Sequence, residues 1–223
     1  MKSRQYWEER LGKSWVEILK PLLKSNYIED LVNRLNIDYA LNDMYPINQD
    51  DIFRAFKLCD FDKLKIVIIG TEPGVYTGIG PLAFSDISFI YTNPSATKIR
   101  KCVSDYNKDL GLDFDTTFED WAAQGILMLN RSLTYKKDGS KSYRDDWKKF
   151  FGSVLYVIEK YKPGTVFLLW GKEAQKYSKL LSTNHHVFSW EHPMKAYLER
   201  RDWNCPNFEQ VNKLYGEKQK IAW

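Results

Sequence analysis

Apolar positions recur at helical spacing in four stretches: residues 14–35, 50–58 (Ile52, Phe53, Ala55 and Phe56), 97–109 and 144–161. Four short apolar runs lie between or after them, at 65–69, 125–129, 165–170 and 186–190. Their length and strand-forming residues predict buried β-strands. Strands alternating with helices imply a parallel sheet with both faces covered. The expected fold is therefore α/β, a three-layer α/β/α sandwich around a central four-stranded parallel sheet. No repeat, low-complexity segment or linker interrupts the chain, so one domain over residues 1–223 is expected.

Each predicted strand ends beside a residue with chemical potential: Glu72, Asn130, Gly171 and His192. Open α/β sheets keep their sites at the C-terminal edge of the strands. The first run, Lys65 to Ile69, leads into Gly70-Thr71-Glu72-Pro73-Gly74. That order places a carboxylate at the sheet edge, which makes Glu72 a catalytic candidate. The plainer reading is a strand-to-loop turn punctuated by Gly and Pro with a solvated glutamate. Four candidates converging on one edge support a site without further information.

Composition narrows the setting. The chain has 223 residues, 43% hydrophobic and 28% charged, as in globular proteins. The N-terminal segment is polar, with no apolar signal core, and no apolar run approaches a membrane span. Cys59, Cys102 and Cys205 are scattered and odd in number, which suggests reduced thiols in a cytoplasmic setting. Three thiols argue against an iron–sulfur cluster, and three histidines without close Cys/His spacing argue against zinc. No metal or cofactor is expected. The net charge of +4 permits a nucleic-acid partner without demanding one. Lys136, Lys137, Lys141, Arg144, Lys148 and Lys149 cluster, but Asp138, Asp145 and Asp146 dilute them. A solvated helix-and-loop face is the simpler reading of that cluster.

Several motifs occur in a fixed order: Gly70 to Gly74, Pro81-Leu82-Ala83-Phe84-Ser85, Leu127-Met128-Leu129-Asn130, Leu168-Leu169-Trp170-Gly171 with Ala174-Gln175, and His192-Pro193. The chain closes Ile221-Ala222-Trp223. In this order they resemble the uracil-DNA glycosylases of the classical family, whose motifs read GQDPYH, GLAFS, LLLN, LLWG and HPSPLS. The similarity runs from about Ser14-Trp15 to the last residue. It implies an enzyme that flips a nucleotide out of DNA and hydrolyses the bond between base and sugar. Phe84 then sits where the family's ring stacks on the extruded base. Asn130 takes the amide that reads the pyrimidine edge, since an amide presents donor and acceptor together. His192 takes the donor to O2 of the leaving base. Glu72 takes the acid that steadies the cationic sugar or orients water. Taken singly, Phe84 reads as core, Asn130 as a turn cap and His192 as a structural histidine. Ser95, in the loop 91–97, corresponds to a proline-serine loop that grips the DNA backbone; helix capping by Ser95 or Thr97 is the alternative.

The departures lie in the active-site motifs. Thr71 stands for the family's glutamine, Glu72 for its aspartate and Gly74 for the tyrosine that excludes the C5 methyl of thymine. This Gly-x-x-Pro-Gly pattern is similar to that of the superfamily's more permissive branches, so the pocket is expected to admit a C5 substituent. Val75 or Tyr76 is the other candidate to fill the tyrosine's place. In the last motif the wedge leucine aligns with Ala196, leaving Tyr197, Leu198 or Met194 as substitutes. Lys195, Arg200 and Arg201 are candidates for phosphate grip, with Tyr197 beside them. The expected activity is excision of uracil or a C5-substituted uracil by a monomer. The alternative is a weakly active or inactive DNA-binding protein of the same fold, serving as a replication partner, a reader of modified DNA, or a decoy or adaptor bound by glycosylase inhibitors. The expected partner is uracil-containing or C5-modified DNA, with a replication protein or glycosylase inhibitor as a further candidate. Composition rich in Lys, Asn, Tyr and Ile suggests a bacterial or phage source.

Overall fold

The structure, a computed structural model, describes residues 2–41, 44–74, 80–87, 93–107, 116–137 and 143–223. Three helices open the chain: α1 (Arg4–Leu11), α2 (Lys13–Leu23) and α3 (Asn26–Ala40). A short strand β1 (Met44–Tyr45) and helix α4 (Arg54–Leu58) precede β2 (Ile66–Gly70). Then follow α5 (Pro94–Tyr106), α6 (Glu119–Ala123), β3 (Ile126–Asn130) and β4 (Tyr135–Lys136). The last part holds α7 (Arg144–Tyr161), β5 (Val166–Trp170), α8 (Lys172–Gln175), β6 (His186–Trp190), α9 (Pro193–Leu198) and α10 (Asn207–Tyr215).

Four strands form one parallel sheet in the order β3-β2-β5-β6. Every residue of β2, β3 and β5 is buried. Successive side chains of a strand point to opposite faces, so both faces must be covered. This is the three-layer arrangement that the apolar runs predict. The strand β6 sits at an edge and is only partly buried. Register places Gly70 beside Asn130 and Trp170 beside Trp190. The chain leaves β2 toward β3 on one side and leaves β5 toward β6 on the other. A crevice therefore opens at the C-terminal ends of β2 and β5, the switch point where such sheets bind ligands.

Aromatic residues dominate the layers against the sheet. Trp147 is fully buried among Phe53 and Phe150, with ring centroids 5.8 and 5.4 Å away. Trp223 packs edge-on against Trp121 and Phe208, at 5.0 and 4.9 Å, and its indole donates to the Phe208 carbonyl. Each such ring contributes roughly 1.5–3 kcal/mol of burial. Burial of the thiols pushes Cys59 up to about 12 and Cys102 up to about 11, and all three cysteines are free.

Several boundaries differ from those read in the periodicity. The stretch 14–35 is two helices, because Ser25 takes an extended backbone (φ −85°, ψ 149°) and its hydroxyl donates to the Leu22 carbonyl. Residues 50–58 begin as a 3-10 turn over Gln49–Phe53 and become α4 only at Arg54. The helix expected at 97–109 starts at Pro94 and ends at Tyr106. Proline suits a first helical turn, and Asn93 caps it by accepting from the Ser95 amide at 2.9 Å. The cap is thus Asn93 rather than Ser95 or Thr97; residues 108 and 109 lie outside the described residues. Helix α1 and the small antiparallel pair β1–β4 had no signal in the pattern.

Candidate active site

Glu72, Asn130, Phe84 and His192 line one cavity of about 170 Å³, together with Thr71, Gly74, Asn93, Ser95 and Met194. Each reaches it from a different strand end or loop. Asn130 is the last residue of β3 and only 6% exposed. Among the described residues its side-chain amide meets no hydrogen-bond partner, so its donor and acceptor remain for a ligand. Gly70, opposite Asn130 in register, makes room for it. A Cβ on Gly70 would overlap the Asn130 Oδ1 and approach the Ala83 Cβ to 2.8 Å.

Phe84 sits in a tight turn at φ 66°, a backbone region that bulky residues rarely occupy. The turn is locked by Ser85, whose hydroxyl accepts from the Leu82 amide and donates to the Leu82 carbonyl. Asn93 fastens it from the other side, donating to the Phe84 carbonyl at 3.2 Å. The ring rests against Trp170 and His192, with centroids 5.5 Å from each. Trp170 is held in turn by its indole hydrogen bond to Asn207 Oδ1 at 2.9 Å. Local strain over-determined by neighbours in this way is typical of a preorganised site.

His192 precedes α9 and caps it with its own ring: Nδ1 accepts from the Met194 amide at 3.1 Å. A nitrogen that accepts carries no proton, so a neutral His192 has its proton on Nε2. Burial lowers the pKa of His192 from its ordinary value, which favours that neutral form. The ring therefore offers an Nε2–H donor to the cavity. Gly171, at φ 88°, leaves space for it.

Glu72 lies two residues beyond β2, and its carboxylate is not solvated in isolation. Arg144 grips it at two points, with Nε 2.9 Å from Oε2 and a terminal nitrogen on Oε1. Arg144, one of the basic cluster, is solvent-exposed as that reading expects, with 46% of its side chain accessible, yet its guanidinium reaches a residue of the site. The separation of 72 positions carries no sequence signal. Other members of the cluster are engaged elsewhere: Lys136 with Asp38 at 3.2 Å and Lys149 over the Tyr27 ring. Lys141 and Asp138 lie outside the described residues. Asn93 is a further residue of the site that the pattern missed, although Asn-Pro before a helical run is a recognisable cap.

The surface candidates behave differently. Ser95 is 4% exposed and reaches the cavity, not an open surface. Ala196 is fully buried, so it packs inward rather than standing at a wedge position. Tyr197 and Leu198 are 46% and 73% exposed. Lys195 leans toward Glu191 and Glu199, and Arg201 binds the same two carboxylates. Among the described residues Arg200 makes no ion pair; it turns the chain at φ 53°. Val75 and Tyr76 lie outside the described residues. Also among the described residues, no group of three or more His, Cys, Asp and Glu side chains is placed to hold a metal ion, and no helix is long and apolar enough to cross a membrane.

Known proteins resemble this chain in sequence and in fold. The uracil-DNA glycosylase of Flavobacterium johnsoniae is 34% identical over 96% of this chain and 99% of its own. That of Aliarcobacter butzleri is 31% identical over 94% of this chain and all of its own. Among solved structures, a mimivirus UNG variant in complex with UGI superposes with a TM-score of 0.79 at 16% identity, covering 98% of this chain and 89% of the other. A UNG from Nitratifractor salsuginis gives 0.58 at 18% identity, covering 97% and 96%. The Uracil DNA glycosylase superfamily model matches residues 56–215. With its strand-end residues gathered at one cavity and relatives matching along nearly its whole length, this chain belongs to the uracil-DNA glycosylase superfamily.

Proposed function

We propose that the protein is a monofunctional DNA glycosylase that excises uracil, and C5-substituted uracil, from DNA. The observation that carries this reading is the convergence of Phe84, Asn130, His192 and Glu72 on one cavity sized for a small ring. In this reading the nucleotide leaves the duplex and its base stacks on Phe84. Asn130 donates to O4 and accepts from N3–H. As the bond from sugar C1′ to base N1 breaks, its electron pair moves into the base and negative charge grows on O2. The Nε2–H of His192 donates to that oxygen, and a preorganised donor of this kind is worth about 10²–10³ in rate. Glu72 faces the cationic sugar and orients a water. The water's hydroxyl joins C1′, and its proton ends on the released base.

Gly74 stands at the cavity where the classical enzymes keep a tyrosine. A residue without a side chain presents no wall to a C5 methyl or hydroxymethyl group. Thr71 lines the same floor, and Ser95 lines the cavity from the start of α5, where in this reading it meets the phosphate next to the flipped nucleotide. In this reading Arg200 and the exposed Tyr197 meet the flanking strand, while Lys195 shares its charge with acids nearby. The protein works in this reading as a monomer in the bacterial cytoplasm or a phage-infected cell, on DNA alone or with a replication protein or an inhibitor such as UGI.

The test is incubation with oligonucleotides carrying uracil, thymine, 5-hydroxymethyluracil or a bulkier C5 group, followed by alkaline cleavage at abasic sites. Strand breaks at uracil and at 5-hydroxymethyluracil are expected. Cleavage at uracil alone would remove the open-pocket part of the reading. Binding to uracil-containing DNA without any abasic product would favour a second reading, a DNA-binding protein of this fold. Thr71, Glu72, Gly74 and Val75, standing where the classical motif has Gln, Asp, Tyr and His, are what favours that second reading.

A further inference from the structure

We propose that Arg144 is a positioning residue: its guanidinium holds the Glu72 carboxylate at the sugar and restores the rigidity that is lost where glutamate stands for aspartate. The proposal rests on the glycosylase reading, in which Glu72 faces the reacting sugar. A glutamate carries one more rotatable bond than an aspartate, so its carboxylate sweeps a larger volume. Displacement of a reacting group by about an ångström is enough to slow catalysis roughly a hundredfold. Something must fix it.

Arg144 has the geometry for this. Its contact with Glu72 is two-pointed, Nε to Oε2 at 2.9 Å and a terminal nitrogen to Oε1. A planar fork of this kind sets the orientation of both oxygens, which a single point charge cannot.

The platform under Arg144 is rigid. It is the first residue of α7, and its neighbours Tyr143 and Trp147 are both fully buried. The Trp147 indole donates to Thr134 Oγ1 at 2.8 Å, four residues beyond Asn130. The helix that carries Arg144 is thereby tied to the segment leaving β3. Hydrogen bonding to Glu72 and the nearby charge of Glu173 also raise the pKa of the guanidinium, keeping it cationic. Glu173 itself pairs with Lys176 and Arg131, so the clamp sits in a row of alternating charges along the strand ends.

Single-turnover cleavage of a uracil oligonucleotide at saturating enzyme, DNA affinity and thermal melts would be measured for wild type, R144Q, R144K, E72Q and the double variant. The expected result is a fall of roughly tenfold to a hundredfold in the R144Q rate constant, with unchanged DNA affinity. R144K should recover part of the loss, and the double variant should be no slower than E72Q. An R144Q enzyme that cleaves at the wild-type rate when saturated, or that only binds DNA more weakly, overturns the proposal. So does a double variant whose losses multiply, since Arg144 would then act independently of Glu72. If R144Q melts early, the same readings are taken on R144K, where a wild-type rate constant is equally decisive against the clamp. A wild type that leaves uracil intact brings down the glycosylase reading and this proposal together, an outcome distinct from an active wild type with an equally active R144Q.

Discussion

Gly171 and His192 are packed so closely that only the absence of a side chain separates them. A Cβ on Gly171 would lie 2.8 Å from the His192 Cβ and 3.1 Å from its Cδ2. Gly171 also holds φ at 88°, a conformation other residues adopt only under strain. Gly171→Ala should therefore destabilise the protein by about 1–3 kcal/mol. It should also slow uracil excision by about a hundredfold, because the His192 ring must move. Thermal melts and single-turnover rates together check this. A variant with wild-type kinetics would mean that the ring's position is not critical.

The relation between Gly70 and Asn130 leads to a different expectation. A methyl group on Gly70 would collide with the Asn130 side-chain oxygen and with Ala83. Gly70 has no positive φ requirement, so the damage falls on the amide and not on the backbone. Gly70→Ala should weaken the preference for uracil over cytosine, as Asn130→Asp should. A correctly placed amide is worth about 1–3 kcal/mol of discrimination per base. Competition between uracil- and cytosine-containing strands measures it; unaltered preference in both variants would remove Asn130 from the reading role.

The partly buried ring of His192 has a consequence for stability. Its pKa in the fold lies below the ordinary 6.5. Above about pH 6.5 both folded and unfolded chains hold a neutral ring, and no penalty arises. As the pH falls below that value, the unfolded chain takes up a proton first. Stability is therefore lost as the pH drops toward and through the lowered native value. The fall in Tm between about pH 7.5 and about pH 5.5 should be larger for wild type than for His192→Gln. Identical pH dependences would show that the ring is not held neutral.

Leu198 is the most exposed apolar side chain of α9, whereas Ala196 is fully buried. A wedge entering the vacated base stack must be both apolar and accessible. Leu198→Ala should slow excision from duplex DNA by roughly tenfold and have little effect on single strands, where no stack is opened. Equal losses on both substrates would remove Leu198 from the wedge role.

The sheet was legible in the sequence because its strands are short, parallel and buried on both faces. Such strands read as unbroken apolar runs, and β2, β3, β5 and β6 were each located to within a residue. Their ends named Glu72, Asn130 and His192, since a parallel sheet carries every strand's C-terminal end to one edge. The helices were read less well. A break such as that at Ser25 depends on one residue's backbone, and periodicity averages over it.

Other properties were decided by tertiary structure alone. No local pattern couples Arg144 to Glu72, because the pair forms only when α7 packs its Tyr143 and Trp147 inward. The tautomer of His192 follows from the Met194 amide, and the need for Gly171 follows from the ring beside it. Ser95 and Ala196 face inward because their helices turn that way against the core. Hydrophobic spacing records which side of an element is buried. It does not record which side chains from distant elements meet there, and the chemistry of this site resides in those meetings.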